Sequence, residues 1–118
     1  MAKAYHMLKK LLLLVSILVI PALANTQSEI DHLLTYVKTT QCKYIRNGSE
    51  HSGVDAAAHI KKKYDYFKDD IRSAEDFIRL SATKSTMTGS KYYIQCPNSP
   101  KVESGKWLLA ELKKYRAK

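Results

Sequence analysis

A chain of 118 residues with 20 Lys and Arg against 11 Asp and Glu carries a formal charge of +9, and its length suits one domain with a modest core. Two cysteines without C-x-x-C spacing cannot complete a metal site by themselves and exclude a thioredoxin-type redox pair. No repeat, low-complexity tract or second apolar run follows the one near the N-terminus, so nothing in the sequence marks a solenoid or a bundle of membrane-spanning helices.

Residues 1–10 carry Lys3, Lys9 and Lys10 and no acid, and Leu11 to Ile20 is an apolar run broken only by Ser16. Pro21 ends any helix there, and Ala22-Leu23-Ala24 has the small-x-small form of a signal-peptidase site. The run falls well short of the roughly 20 residues that span a bilayer. A signal peptide over 1–24, cleaved after Ala24, is therefore expected, with export of 25–118. No cysteine follows the cut, which argues against a lipid anchor. Without the three leader lysines the charge of +9 falls to +6.

The periodicity after the leader predicts an α+β domain of four helices around a small antiparallel sheet. Thr26 to Thr39 is the first helix, with Thr26 and Glu29 at capping-box spacing and Ile30, Leu33, Leu34 and Val37 in one stripe. Cys42 to Arg46 alternates as a strand, and Asn47-Gly48 marks a hairpin turn leading to a return strand over Ser49 to Ser52. Val54 to Lys68 is the second helix, its apolar stripe carried by Ala57, Ile60, Tyr64, Phe67 and then Ile71. Ser73, with Asp76 three residues on, caps a third helix reaching Ala82. Lys84 to Ser90 is a hydroxyl-rich loop. Lys91 to Cys96 alternates as one later strand, with Tyr92 and Ile94 on one face and Tyr93 and Gln95 on the other. Glu103 to Lys118 forms a last helix with Trp107, Leu108, Leu112 and Tyr115 as apolar contacts and a basic end that suits the helix dipole.

Cys42 and Cys96 form an even pair in a small exported domain and read as a disulfide. Closing a loop of that length is worth about 4 kcal/mol in the chain-entropy model.

Several strings resemble a known family when taken together: Cys42-x-Tyr44-x-Arg46-Asn47-Gly48-Ser49; Ala57-Ala58-His59-Ile60 with Lys63-Tyr64; and Ser73-Ala74-Glu75-Asp76-Phe77-Ile78. Ser85-Thr86-x-Thr88-Gly89-x-x-Tyr92 and Trp107-Leu108 complete the pattern, which covers about Gln27 to Tyr115. The chain is similar to the YfeK-like proteins, small exported bacterial proteins known as a domain of unknown function. The resemblance implies export to the periplasm of a Gram-negative bacterium and a compact single domain, and it implies no activity.

His59 and Lys63, four apart, share a helix face with Ala56 and Tyr66, off the Ile60 stripe. With Arg46 from the hairpin and the hydroxyls of Ser85, Thr86 and Ser90, they form a candidate site for a carboxylate or phosphate. The plainer alternative makes His59 a backbone or sheet-capping partner and the lysines a solvated face. Likewise Lys84 to Tyr92 is either a ligand loop or a turn in which Gly89 takes the left-handed conformation. Ser81-Ala82-Thr83-Lys84 matches S-x-x-K formally but lacks the partner motifs of serine acyl-enzymes. Glu75, Asp76, Asp65, Asp69 and Asp70 read as helix-surface and capping acids rather than a glycosidase pair. His32 and His51 have no metal spacing with His59, so no metal and no cofactor are expected.

Seven of the eight tyrosines follow the leader, beside Trp107 and a basic excess. That composition suits a polyanion, and export turns the expectation from nucleic acid to anionic lipid, lipopolysaccharide or acidic glycan. The expected function is a monomeric, non-enzymatic binding or interaction module with a basic face for an anionic envelope component or a periplasmic protein. The alternative is a small hydrolase with His59 as base and a loop hydroxyl as nucleophile, and a third reading is a purely structural role.

Overall fold

The computed structural model describes residues 25–118; the expected leader lies outside the described residues. Helix α1 covers 25–39 and buries Ile30, Leu33 and Val37. Asn25 is already helical, so Thr26 sits inside the first turn rather than at its cap. Strands β1 (Lys43–Arg46) and β2 (Ser49–His51) form the hairpin, paired Tyr44↔His51 and Arg46↔Ser49. Both turn residues have positive φ, 51° at Asn47 and 79° at Gly48, as a two-residue type I′ turn requires.

Ser52 ends the hairpin and caps α2 (Gly53–Phe67), its hydroxyl accepting from the Asp55 N–H at 3.2 Å. Gly53 is fixed by close approach: a Cβ there would come within 2.3 Å of the Val37 carbonyl oxygen, where α2 starts against the end of α1. After a 3₁₀ turn at Lys68–Asp70, Ser73 caps α3 (Ala74–Ser81) by accepting from the Asp76 N–H at 3.0 Å. The Asp76 carboxylate in turn accepts from the Arg72 N–H, a reciprocal arrangement close to a capping box.

Strand β3 (Tyr93–Gln95) pairs with β1, and β4 (Val102–Glu103) pairs with β3, giving the antiparallel order β2-β1-β3-β4. The last strand departs from the sequence expectation, which gave Glu103 to the closing helix. Instead α4 runs Ser104–Arg116, its start fixed when the Ser104 N–H donates to the Tyr92 carbonyl. The fold class is otherwise as expected: α+β, with four helices among the described residues.

One sheet face carries the core. Tyr44 and Ile94 point from β1 and β3 toward Ile30, Leu33, Ile60, Phe77 and Leu108, all at most 2% exposed. The outer face holds Lys43, Ile45, Tyr93 and Gln95, half-buried or exposed. Cys42 and Cys96 are joined by a disulfide, as expected, just outside the paired ends of β1 and β3. An α1–α4 seam stacks His32 on Tyr115 and Tyr36 on Trp107, with His32 Nε2 2.7 Å from Glu111. Among the described residues no helix is long and apolar enough to cross a membrane.

Candidate functional site

Strand alternation assembles a cationic cluster at the hairpin end of the sheet. Side chains switch faces at each residue, so the parity that buries Tyr44 and Ile94 puts Arg46, His51 and Tyr92 on the same helix-facing side. From α2, His59 and Lys63 reach the Tyr92 hydroxyl one turn apart. His59 Nε2 lies 3.3 Å from Oη, and Lys63 Nζ donates to Oη at 3.4 Å. The same ammonium lies 5.0 Å from the Tyr92 ring centroid, within cation–π range, and donates to the Lys84 carbonyl at 2.6 Å.

Arg46 completes the cluster differently. Its guanidinium makes no hydrogen bond or ion pair among the described residues, and Nη1 is buried without a partner. A buried donor left unmade costs about 1–3 kcal/mol, so this is a place where water or a ligand is called for.

The electrostatics share one sign. Burial pushes the His59 imidazole below its ordinary pKa, and Arg46, Lys63, His51 and Lys62 add to that shift. Burial, then Arg46, also lowers Lys63. The Tyr92 phenol is raised by burial against the opposing pull of Arg46 and so keeps its proton at neutral pH. No carboxylate acts on His59, Lys63 or Tyr92, although several acids elsewhere are paired with cations, as in Lys91–Glu103 and Arg116–Glu29.

The structure gives the loop hydroxyls other work. Ser85 is buried; its Oγ accepts from the Thr88 N–H and its N–H donates to the Ser90 carbonyl. The Ser90 N–H donates to Thr88 Oγ1, and Thr88 Oγ1 donates to Asn47 Oδ1 at 3.1 Å, pinning the loop to the hairpin turn. Gly89 has φ 76°, as the turn reading requires. Ser90 lines a hollow of about 650 Å³ on the outer sheet face with Ile45, Tyr93 and Lys101. Thr86 is exposed and makes no hydrogen bond among the described residues.

Arg46, His59 and Lys63 are thus brought together, and Ser85 meets them only through the neighbouring Lys84 carbonyl. His59 and Lys63 share their face of α2 with Ala56 and Tyr66, as the spacing predicts, but exposure rises along it: Ala56 is buried, whereas Tyr66 is 81% exposed. Ala56 sits a turn earlier, where α2 still faces the sheet, and Tyr66 lies near the solvated C-terminal end of α2. Sequence reasoning missed Tyr92 and His51. A core tyrosine hydroxyl must find a polar partner, which was the available signal for Tyr92. Hairpin parity with Tyr44 was the signal for His51.

Arg46, His51, His59 and Lys63 are each half-buried, so the cluster is partly open to solvent, while the surface hollows between α3 and α4 and beside the disulfide are lined by other residues. Among the described residues no group of three His, Cys, Asp or Glu is placed to hold a metal ion.

Comparison with known proteins agrees with the sequence resemblance. Residues 24–116 match the model of DUF5329, a family of unknown function. The uncharacterized protein YfeK of Salmonella typhimurium is 30% identical over 81 residues, covering 64% of this chain and 68% of its own. No solved structure matches. The chain therefore belongs to DUF5329, the YfeK-like family of unknown function.

Proposed function

We propose that the leader is cleaved after Ala24 and that residues 25–118 act in the periplasm as one monomeric, non-catalytic binding module. Its working face is the cluster of Arg46, His59 and Lys63, rimmed by the loop carrying Ser85, Thr86 and Ser90. The face engages an anionic group on an envelope component or a protein partner.

One observation carries this reading: His59 and Lys63 meet at Tyr92 with Arg46 beside them and no carboxylate acting on the three, and a guanidinium nitrogen is left unpartnered. Like charges gathered in partly buried surroundings repel one another. An arriving anion relieves that repulsion and supplies acceptors for the unused N–H groups.

The test has two arms. Titration of the purified protein with sodium sulfate and sodium acetate, against sodium chloride at equal ionic strength, should give saturable NMR shifts confined to Arg46, His59, Lys63 and their neighbours. The double variant R46A/K63A should weaken that binding at least tenfold while keeping the wild-type backbone spectrum. The absence of any saturable response to either anion sinks the binding reading. In cells, periplasmic extract should contain a chain that starts at Asn25; an uncut cytoplasmic chain overturns the export half.

A further inference from the structure

The number of free donors narrows the ligand class. Arg46 leaves the whole guanidinium unused, with Nη1 buried. Lys63 spends two of its three N–H groups on the Lys84 carbonyl and Tyr92 Oη, leaving one. His59 holds Nε2 against Tyr92 Oη, so Nδ1 is the ring nitrogen left to meet a ligand. Three separate side chains with spare donors match the three terminal oxygens of a tetrahedral ester better than the two of a carboxylate.

Charge points the same way. Arg46 and Lys63 are two positive charges with no acid between them, so a monoanion leaves the cluster cationic and a dianion neutralises it. His59 then changes its surroundings. The groups facing it are Arg46 from β1, His51 from β2, Lys62 and Lys63 on its own helix, and the Tyr92 phenol before β3. All the charged ones are basic.

We propose, resting on the anion-binding reading above, that the cluster takes a tetrahedral dianion, a phosphate-monoester group or free sulfate, and that its capture is coupled to uptake of one proton by His59. The proton comes from solvent and adds to the lone pair of the neutral imidazole; no other bond forms or breaks. The imidazolium then has an N–H at each nitrogen. Tyr92 Oη accepts from Nε2–H as it does from Lys63, and Nδ1–H donates to a ligand oxygen.

The sign follows from linkage. Burial and basic neighbours hold the free imidazole below its ordinary value, and a bound dianion raises it. The gain in affinity is therefore complete below the free-state pKa and is lost as pH rises through the bound-state pKa.

Sulfate is the probe, because it stays doubly charged between about pH 5 and pH 8, the range in which imidazoles titrate. Its affinity for the full exported protein should climb by up to tenfold per pH unit on acidification within the coupled window. Binding heats in buffers of differing ionisation enthalpy should report net proton uptake. Acetate should bind at least tenfold more weakly than sulfate. H59Q, which keeps a hydrogen-bonding side chain without a titration, should still bind sulfate with a flat pH profile. If wild-type binding of sulfate is independent of pH and of buffer, the proton coupling is wrong while the anion face stands. If acetate equals sulfate, the ligand class is wrong. If neither binds, the underlying reading falls first. The wild-type measurements decide the matter even if H59Q does not fold.

Discussion

Tyr44 and Tyr92 are buried phenols, 6.4 Å apart between ring centroids, whose hydroxyls end in opposite surroundings. Tyr44 Oη shares a hydrogen bond with Ser104 Oγ and approaches the Ala82 carbonyl, all inside the core. Burial, with Tyr92 adding to it, drives its pKa far above the ordinary phenol value, so it is a neutral structural donor at every working pH. Tyr44→Phe removes that hydroxyl and strands the Ser104 Oγ, which is fully buried. The expected loss is about 1–3 kcal/mol, the cost of an unpaired buried polar group, read as a lower denaturation midpoint at unchanged m-value. Binding of sulfate should be unaffected, since Tyr44 touches neither His59 nor Lys63. Tyr92 Oη instead meets His59 and Lys63 at the boundary with solvent. Strand alternation put Tyr92 with Ile94 on one face without saying which face is buried. It had no means of separating the roles of Tyr44 and Tyr92, because the partners of Tyr92 stand 33 and 29 residues away on α2. Arg46, His59 and Lys63 were legible as a basic set; the phenol that gathers two of them was not.

At the scale of elements, Arg116 at the end of α4 ties three helices with one guanidinium. Nε and Nη2 donate to both carboxylate oxygens of Glu29 on α1, while Nη1 and Nη2 donate to both of Glu75 on α3. The fork suits paired carboxylates, and hydrogen bonding to Arg116 holds Glu75 below the usual carboxylate range. Exposure limits the gain, with the Arg116 side chain 44% accessible. Arg116→Ala should cost roughly 0.5–1 kcal/mol, and the difference in Tm between variant and wild type should shrink as salt is raised. The elements Arg116 joins were largely written in the chain. The Asn-Gly turn, the Ser73 cap and the stripes of α1 and α4 each carry a local signal strong enough to survive packing. The start of α2 moved to Gly53 because Ser52 took the cap. Strand β4 left no local trace: two residues are too few to show a period, and it exists because Tyr93 and Ile94 offer Glu103 and Val102 a free edge. The corner at Ser104 is likewise set by a carbonyl twelve residues earlier in the chain.

For the molecule as a whole, the Cys42–Cys96 bond spans a sequence separation of 54 and connects the two central strands. Replacing both cysteines by serine should lower stability by about 4 kcal/mol, measured by denaturant unfolding against the oxidised protein. For a domain this small that is a large share of the total. Full retention of stability would show that the strand pairing needs no cross-link. Even cysteine count and the expectation of export made this bond legible, since each strand alone gave no hint that β1 and β3 are neighbours. The bond also divides the molecule topologically. Residues 42–96 form a closed covalent ring containing β1, β2, α2, α3 and β3, and with them Arg46, His51, His59, Lys63, Ser85 and Tyr92. Helices α1 and α4 are tails outside it. A protease that nicks the exposed Thr86–Gly89 segment therefore opens the ring without releasing a piece, and Tyr92, severed from the fragment that carries Arg46, His59 and Lys63, stays on the same molecule until a reductant parts the two.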